Sequence, residues 1–270
     1  MTVTTITVSG TWTCPAGITA VDIALKGGGG GGAGNTPGTS SVKGGGGQQG
    51  AETTHAKYVV VPGNGYSITI GAAGVGSNPG TGGGAPAAGG AGGETSAFEH
   101  TAAGGVGGVA QIGVGASGDG TGTGFGAGGA ANTQGGAATA STGAGGGGGG
   151  EWTTADGVSG GNGAAGYVTI TYTAASAAFS GTPLTGDKPL TVQFTGPASQ
   201  TAYAWDFGDS TTATTQSPEK IYTTAGKKTV ILATTNAYGF AVETKVDYVF
   251  AYFKSRMHAI ACMTDGLRRI

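Results

Sequence analysis

The chain has 270 residues, of which 62 are glycine and only 10% are charged, and its formal net charge is −2. Such sparse and balanced charge excludes both a basic nucleic-acid surface and a polyanionic tail. Cys14 and Cys262 lie near opposite ends and neither belongs to a Cys-x-x-Cys pair, so we expect isolated thiols and no zinc or redox site. No apolar run is long enough for a transmembrane helix and no secretory signal is visible, so we expect synthesis in the cytoplasm without membrane insertion.

The first 25 residues alternate apolar and polar side chains as half-buried strands do. Strands are predicted at residues 2–8, 11–13 and 19–25, with a turn at Pro15-Ala16-Gly17. Two further strands, 57–61 and 66–70, flank the turn Pro62-Gly63-Asn64-Gly65 and are predicted to pair as a hairpin. Another alternating strand is predicted at residues 167–172.

Between these strands lie glycine runs, at residues 27–32, 44–47, 82–84 and 145–150. Glycine buries no side chain and loses much backbone entropy on folding, so these runs fold only where backbones pack on one another. The absence of a Gly-X-Y repeat excludes collagen. Two interpretations remain, a flexible linker and a polyglycine-II-like lattice of extended three-fold helices bonded to their neighbours. The recurring strands favour the lattice.

Three segments, in each of which a predicted strand adjoins a glycine-rich stretch, resemble those of a known family. They are VSGTWTCPAGITAVDIALKGGGGGG (8–32), YVVVPGNGYSITIGAAGVG (58–76) and GGNGAAGYVTITYT (160–173), and GGETSAFEHTAAGGVGG (92–108) fits less closely. Together they resemble the glycine-rich domain of bacteriophage tail fibres and minor tail proteins. The resemblance covers residues 1–173 and implies polyglycine-II helices packed in layers, with receptor-binding loops at the distal edge.

Residues 177–253 have ordinary composition, with short strands predicted at 190–194, 202–206, 228–235 and 242–249. The stretches PLTVQFTGPAS (189–199), YAWDFGDS (203–210), 217–239 and 244–249 resemble a PKD domain, which implies an immunoglobulin-like β-sandwich. Ser210 stands where glycine is usual. The predicted structural core is Tyr203, Trp205, Asp206, Phe207, Gly208 and Asp209. Trp205 is expected to be buried, and Asp206 and Asp209 are expected to accept bonds from backbone amides of the turn.

The expected fold is therefore all-β, a glycine-rich β and polyglycine-II-like domain followed by the PKD sandwich. Residues 254–270 form a basic C-terminal tail, either an anchoring segment or a frayed end.

No residue set in the sequence predicts catalysis. The three histidines are scattered, no P-loop is present, and Asp206 and Asp209 are explained by their turn. We expect a protein that is not an enzyme and has no cofactor or metal.

The sequence predicts a bacteriophage virion structural protein, a tail fibre or minor tail subunit with a role in host adhesion. The alternative is a capsid decoration protein or head fibre, favoured by a glycine-rich domain that starts at residue 1. Expected partners are other virion proteins and a host receptor or glycan, with the chain exposed on the particle and its oligomeric state left open. The candidate contact residues are Asn35, Asn132 and Gln134 in loops, and Phe125 and Trp152, which either contact a receptor or fill gaps in the lattice.

Overall fold

The computed structural model describes residues 1–35, 42–79, 87–112, 126, 134–148 and 157–253. The chain separates into two compact units, Met1–Thr173 and Ala174–Ile270. All the regular secondary structure of the described residues is β-strand, which confirms the expected all-β class. A search of the same residues finds no helix of the length and apolarity that crossing a membrane requires.

Among its described residues, the first unit contains ten strands in three antiparallel sheets, whose orders are β1-β10-β3-β5, β2-β6-β7-β8 and β4-β9. The strands are β1 (Thr2–Ile6), β2 (Gly10–Thr13), β3 (Ala20–Lys26), β4 (Val42–Gly44), β5 (Glu52–Val59), β6 (Gly65–Thr69), β7 (Thr95–Ala97), β8 (His100–Ala102), β9 (Ala110–Ile112) and β10 (Tyr167–Tyr172).

One face of the β1-β10-β3-β5 sheet forms the core of this unit. Alternate residues of β3 and β10 are fully buried, and they pack with Ile68 and Phe98 of the second sheet and its β7–β8 turn. These alternate residues are Val21, Ile23, Leu25, Val168 and Ile170. The period of two places every intervening side chain of β10 on the opposite, outward face.

The predicted hairpin of residues 57–61 and 66–70 is wrong. β5 pairs with β3, whereas β6 pairs with β2 and β7 in another sheet. The reason is that the residues after β5 bond to the 14–19 loop: Val60 N donates to Thr19 O, and Gly63 N donates to Cys14 O. These bonds carry the chain from one sheet to the next.

The part of the second unit that the structure describes, residues 174–253, contains eight strands in two sheets, with orders β11-β13-β16 and β12-β18-β17-β14-β15. The strands are β11 (Ser180–Thr182), β12 (Thr185–Asp187), β13 (Leu190–Thr195), β14 (Ala202–Asp206), β15 (Thr212–Ala213), β16 (Glu219–Tyr222), β17 (Gly226–Asn236) and β18 (Gly239–Tyr252). β12 runs parallel to β18 and the other pairs are antiparallel. Between the sheets lies a core that includes Phe179, Phe194, Trp205 and Tyr222.

Candidate functional site

The centre of the first unit is a glycine segment, residues 27–33, that we call the central segment. Its residues are fully buried, and their amides donate in a repeat of three. The first set of amides, those of Gly27, Gly30 and Ala33, donates to the carbonyls of residues 51, 48 and 45. The second set, those of Gly28 and Gly31, donates to residues 93 and 90, and the third set, those of Gly29 and Gly32, donates to residues 164 and 161. Each of these N···O distances is 2.8 or 2.9 Å.

The carbonyls of the central segment accept bonds from three other segments. Gly28 and Gly31 accept from residues 105 and 108, Gly29 and Gly32 accept from residues 74 and 77, and Gly30 accepts from residue 146. The central segment is therefore bonded to six neighbours, three through its amides and three through its carbonyls.

These six neighbours bond to one another and close a ring. Their order around the central segment is 45–51, 103–109, 89–93, 71–77, 160–166 and 143–148. Each pair of adjacent segments is joined by at least one hydrogen bond from a backbone amide to a backbone carbonyl, and the last segment bonds back to the first. With the donor named first, these bonds are Gln48 to Val106, Gly92 to Gly105, Gly90 to Val75, Gly163 to Gly74, Gly161 to Gly147, and Gly47 to Gly146. A repeat of three is that of polyglycine II, whereas a β-strand alternates with a period of two.

Glycine is required in this lattice because the segments approach backbone to backbone. A Cβ built on Gly28 would overlap the carbonyl of Ala72, and one built on Gly31 would overlap the carbonyl of Val75. Cα atoms that approach so closely leave space for amide and carbonyl bonds but for no side chain.

In two ring segments, 103–109 and 71–77, side chains point outward at every third position. In the sequence Ala-Gly-Gly-Val-Gly-Gly-Val of residues 103–109, Val106 and Val109 are 61% and 55% exposed, whereas Gly105 and Gly108 are buried against the central segment. Val75 of the segment 71–77 is 67% exposed. These two segments therefore present, at the surface of the lattice, side chains that take no part in its packing, whereas Ala144 and Ala164 of other ring segments are buried.

In the second unit, the residues of the Trp-Asp-Phe-Gly-Asp stretch hold one turn and the core beneath it. Trp205 is 2% exposed and donates from Nε1 to Thr215 O at 2.9 Å. Asp206 Oδ1 accepts from Gly208 N at 2.9 Å, and Gly208 has a φ of +71°, a conformation that favours glycine. Phe207 is buried, and Tyr203 donates from its hydroxyl to Pro197 O at 2.7 Å.

Asp209 closes the same turn and forms a largely buried ion pair. Its carboxylate accepts from Thr211 N at 3.3 Å and lies 2.8 Å from Lys220 Nζ. Burial tends to raise the pKa of Asp209, but the bonds from Lys220 and Thr211 and the charge of Lys220 outweigh it, so the pKa is lowered. Burial, together with the charges of Asp209 and Asp206, raises the pKa of Tyr222. These contacts hold the turn in place.

Comparison with known families agrees with this two-part organisation. The model of the glycine-rich domain matches residues 3–189. The chain belongs to the glycine-rich domain family. A second model, that of the PKD domain, matches residues 173–251, overlapping the first at 173–189. The order of a glycine-rich domain followed by a PKD domain is as expected from the sequence. Among curated proteins, none matches the chain.

The predicted contact residues of the glycine-rich domain differ in how far they are exposed to solvent. Asn35 is fully buried, and its Oδ1 accepts from Val158 N at 2.8 Å while its own amide donates to Val158 O, so a contact role does not fit it. Gln134 is exposed at the start of a segment that bonds to the ring, where Gly147 N donates to Gly136 O and Ala138 N donates to Asn162 O. Phe125, Asn132 and Trp152 lie outside the described residues.

Sequence reasoning missed the outward face of β10 in the glycine-rich domain. Tyr167, Thr169 and Thr171 lie there, and a shallow groove lies on each side of the strand. One groove, of about 240 Å³, is lined by residues that include Asp22, Thr54, Thr169 and Thr171. The other, of about 300 Å³, is lined by Thr5, Ser141, Thr142, Tyr167 and Thr169. The only signal in the sequence is the alternation of β10, which does not show what lies beside it.

The edge of the first groove is a β-bulge held by an ion pair. The register of β3 and β5 shifts between Val21 and Ile23, and Lys57 at the bulge has a φ of +55°. Asp22 Oδ1 accepts from Lys57 N at 2.8 Å, and both carboxylate oxygens lie 3.1 Å from Lys57 Nζ. The pair fixes the carboxylate and balances its charge at the groove.

Two further features concern metal and thiol chemistry. In the part of the chain that the structure describes, no three His, Cys, Asp or Glu side chains are grouped so that they could hold a metal ion. His55 and His100 stack face to face with ring centroids 3.5 Å apart. Cys14 is a buried free thiol that donates to Ile18 O at 3.3 Å, and burial raises its pKa.

Proposed function

We propose that this chain is a bacteriophage virion structural protein, a tail fibre or minor tail subunit that takes part in adhesion to the host surface. The observation that carries this proposal is the lattice of six segments around one. It satisfies backbone groups internally and, along segments 71–77 and 103–109, turns side chains outward. The lattice itself therefore packs without an apolar core and leaves its surface side chains free to vary.

The resistance to proteolysis that this bonding pattern predicts supports the same role. Opening the lattice exposes the backbone bonds of several segments together, because each ring segment bonds to the central segment and to both of its neighbours. Local opening is therefore costly, and proteases act on open chains. An exposed virion component needs this resistance.

The PKD domain supports attachment to another virion protein. On β18 the large apolar side chains of Phe240, Val242 and Val246 are 51%, 59% and 74% exposed, in a row on one strand. Exposed apolar side chains grouped in this way are typical of protein interaction sites. We propose that the PKD domain binds the particle and that the glycine-rich domain is the adhesive part.

Two experiments test the proposal. Immunogold labelling of particles with antibody to this chain should mark the tail, and label confined to capsids would refute the tail assignment in favour of a decoration protein or head fibre. Purified chain added before infection should reduce adsorption of the particles. A lack of protection at saturating concentration would refute the adhesive role.

A further inference from the structure

The outward face of β10 combines the chemical groups that recognise a sugar. Tyr167, Thr169 and Thr171 follow one another on this face over about 13 Å, at the strand rise of about 3.3 Å per residue. The two grooves flank the row and share Thr169. Together they form one continuous surface, which we call the β10 face.

The hydroxyl groups of this surface are available to a ligand. In the described parts of the chain, the hydroxyls of Thr54, Thr169 and Thr171 have no protein hydrogen-bond partner. Each can donate one bond and accept two, as the hydroxyls of a saccharide also can. Since these threonines lie on strands, their positions are fixed before a ligand arrives, which lowers the entropic cost of binding.

Apolar groups lie among these hydroxyls. Ala24 and Ala56 line the first groove, and the ring of Tyr167 lines the second. A sugar ring presents C–H groups on its faces and hydroxyls around its rim. Methyl groups and an aromatic ring can pack on the C–H faces of the sugar, and threonine hydroxyls can form hydrogen bonds with the hydroxyls around its rim.

The charge of the face limits the class of ligand. Among the described residues that line the two grooves, which include His55, Asp22 is the acidic one, and its charge is balanced by Lys57 at 3.1 Å. No described lining residue is a lysine or arginine, which disfavours nucleic acid and acidic glycans. β10 also lies between β1 and β3, so it offers no free edge to which a peptide strand could add.

We infer that the β10 face binds a neutral oligosaccharide that lies along the strand, with Thr169 at the centre of the contact. The inference deepens the adhesive function proposed above and rests on it for the choice of ligand. It is also testable without particles.

The experiment begins with the full chain on a printed array of neutral and acidic oligosaccharides, followed by calorimetry with the neutral oligosaccharide that gives the strongest signal. Thr169→Val, which removes one hydroxyl and keeps the branched shape, should weaken binding about tenfold. Thr244→Val, at an exposed strand position of the PKD domain, is the matched control and should leave affinity unchanged within about twofold. Binding of acidic oligosaccharides alone, or equal affinity of the two variants, would overturn the inference.

Hydrogen exchange of the unaltered chain gives a second measurement that does not depend on how a variant folds. The neutral oligosaccharide should slow exchange at residues 167–171, and slowing confined to other segments would refute the β10 face. Adsorption assays separate the two proposals. Equal protection by the unaltered chain and by Thr169→Val would retain adhesion and refute this site, whereas oligosaccharide binding that depends on Thr169 without any protection would retain the site and refute adhesion.

Discussion

Replacing Gly31 by alanine should destabilise the glycine-rich domain far more than an alanine substitution normally does. A Cβ at this position would overlap the carbonyl of Val75 and the amide of Gly76, which are backbone groups that no side-chain rotation can move. The central segment would have to shift, and with it the bonds from Gly31 N to Gly90 O and from Gly108 N to Gly31 O, both 2.8 Å long.

The size of the effect follows from these contacts. Overpacking costs about 1–3 kcal/mol, and weakening two backbone bonds adds roughly 0.5–1.5 kcal/mol each. Reduced freedom of the unfolded chain offsets about 0.4–1 kcal/mol. The expected loss is therefore about 1–6 kcal/mol with a central value of about 3 kcal/mol, and this central value lowers the Tm by about 6–12 °C at about 2–4 °C per kcal/mol.

Two matched glycines make the measurement specific. A Cβ on Gly10 would meet nothing within 4 Å, so Gly10→Ala should change the Tm by no more than about 2 °C. On Gly90 the nearest atoms would be Val75 N at 3.2 Å and Val75 O at 3.3 Å, so Gly90→Ala should give an intermediate loss. Calorimetry of the full chain provides an internal reference in the unfolding of the PKD domain. If Gly31→Ala melts within about 2 °C of Gly10→Ala, the lattice packing described above is refuted.

Three further predictions concern amide exchange, pH and thiol reactivity. Protection of backbone amides from hydrogen exchange should repeat every three residues along 103–109. The amide of Gly105 donates to the central segment, so it should exchange at least about tenfold more slowly than the amide of Val106. Equal exchange rates along 103–109 would contradict the lattice. Because the pKa of Asp209 is lowered by folding, its ion pair should stabilise the PKD domain fully above about pH 4, and this contribution should disappear as the pH falls through the lowered pKa. Below about pH 4, the free energy of unfolding measured with urea should therefore change less with pH in Asp209→Asn than in the unaltered chain. An equal change in the two proteins would refute this role of Asp209. In a chain carrying Cys262→Ser, Cys14 should react with a thiol reagent at pH 8 only as fast as the domain unfolds, and immediate reaction would contradict its burial.

The strands of five or more residues could be predicted from the sequence to within about five residues because alternation is a local property, whereas the short strands β4, β7, β8, β9, β11, β12, β15 and β16 were not predicted. Residues 167–172 and 202–206 coincide with β10 and β14, and 19–25 differs from β3 by one residue at each end. The all-β class and the order of the two domains followed from the same patterns and from the resemblance. Strand pairing did not, since the separation of β5 from β6 depends on bonds to the 14–19 loop.

Prediction of the candidate site was less successful, because exposure depends on contacts between distant segments. Asn35 belongs to a loop in the sequence, yet Val158 covers it and bonds to it. Thr169 reads only as one residue of an alternating strand, and the grooves beside it are completed by residues as distant as Asp22 and Ser141.

The glycine content by itself determined that this chain must either remain unfolded or pack backbone on backbone. Spacing alone did not determine which of the other residues reach the surface, since Val106 and Val109 are exposed whereas Ala144 and Ala164 are buried. Only the tertiary structure decided that six segments surround residues 27–33, and in which order. The physical reason is that glycine segments have no side chains to distinguish one from another, so the strands and turns that connect them select the partner of each backbone group.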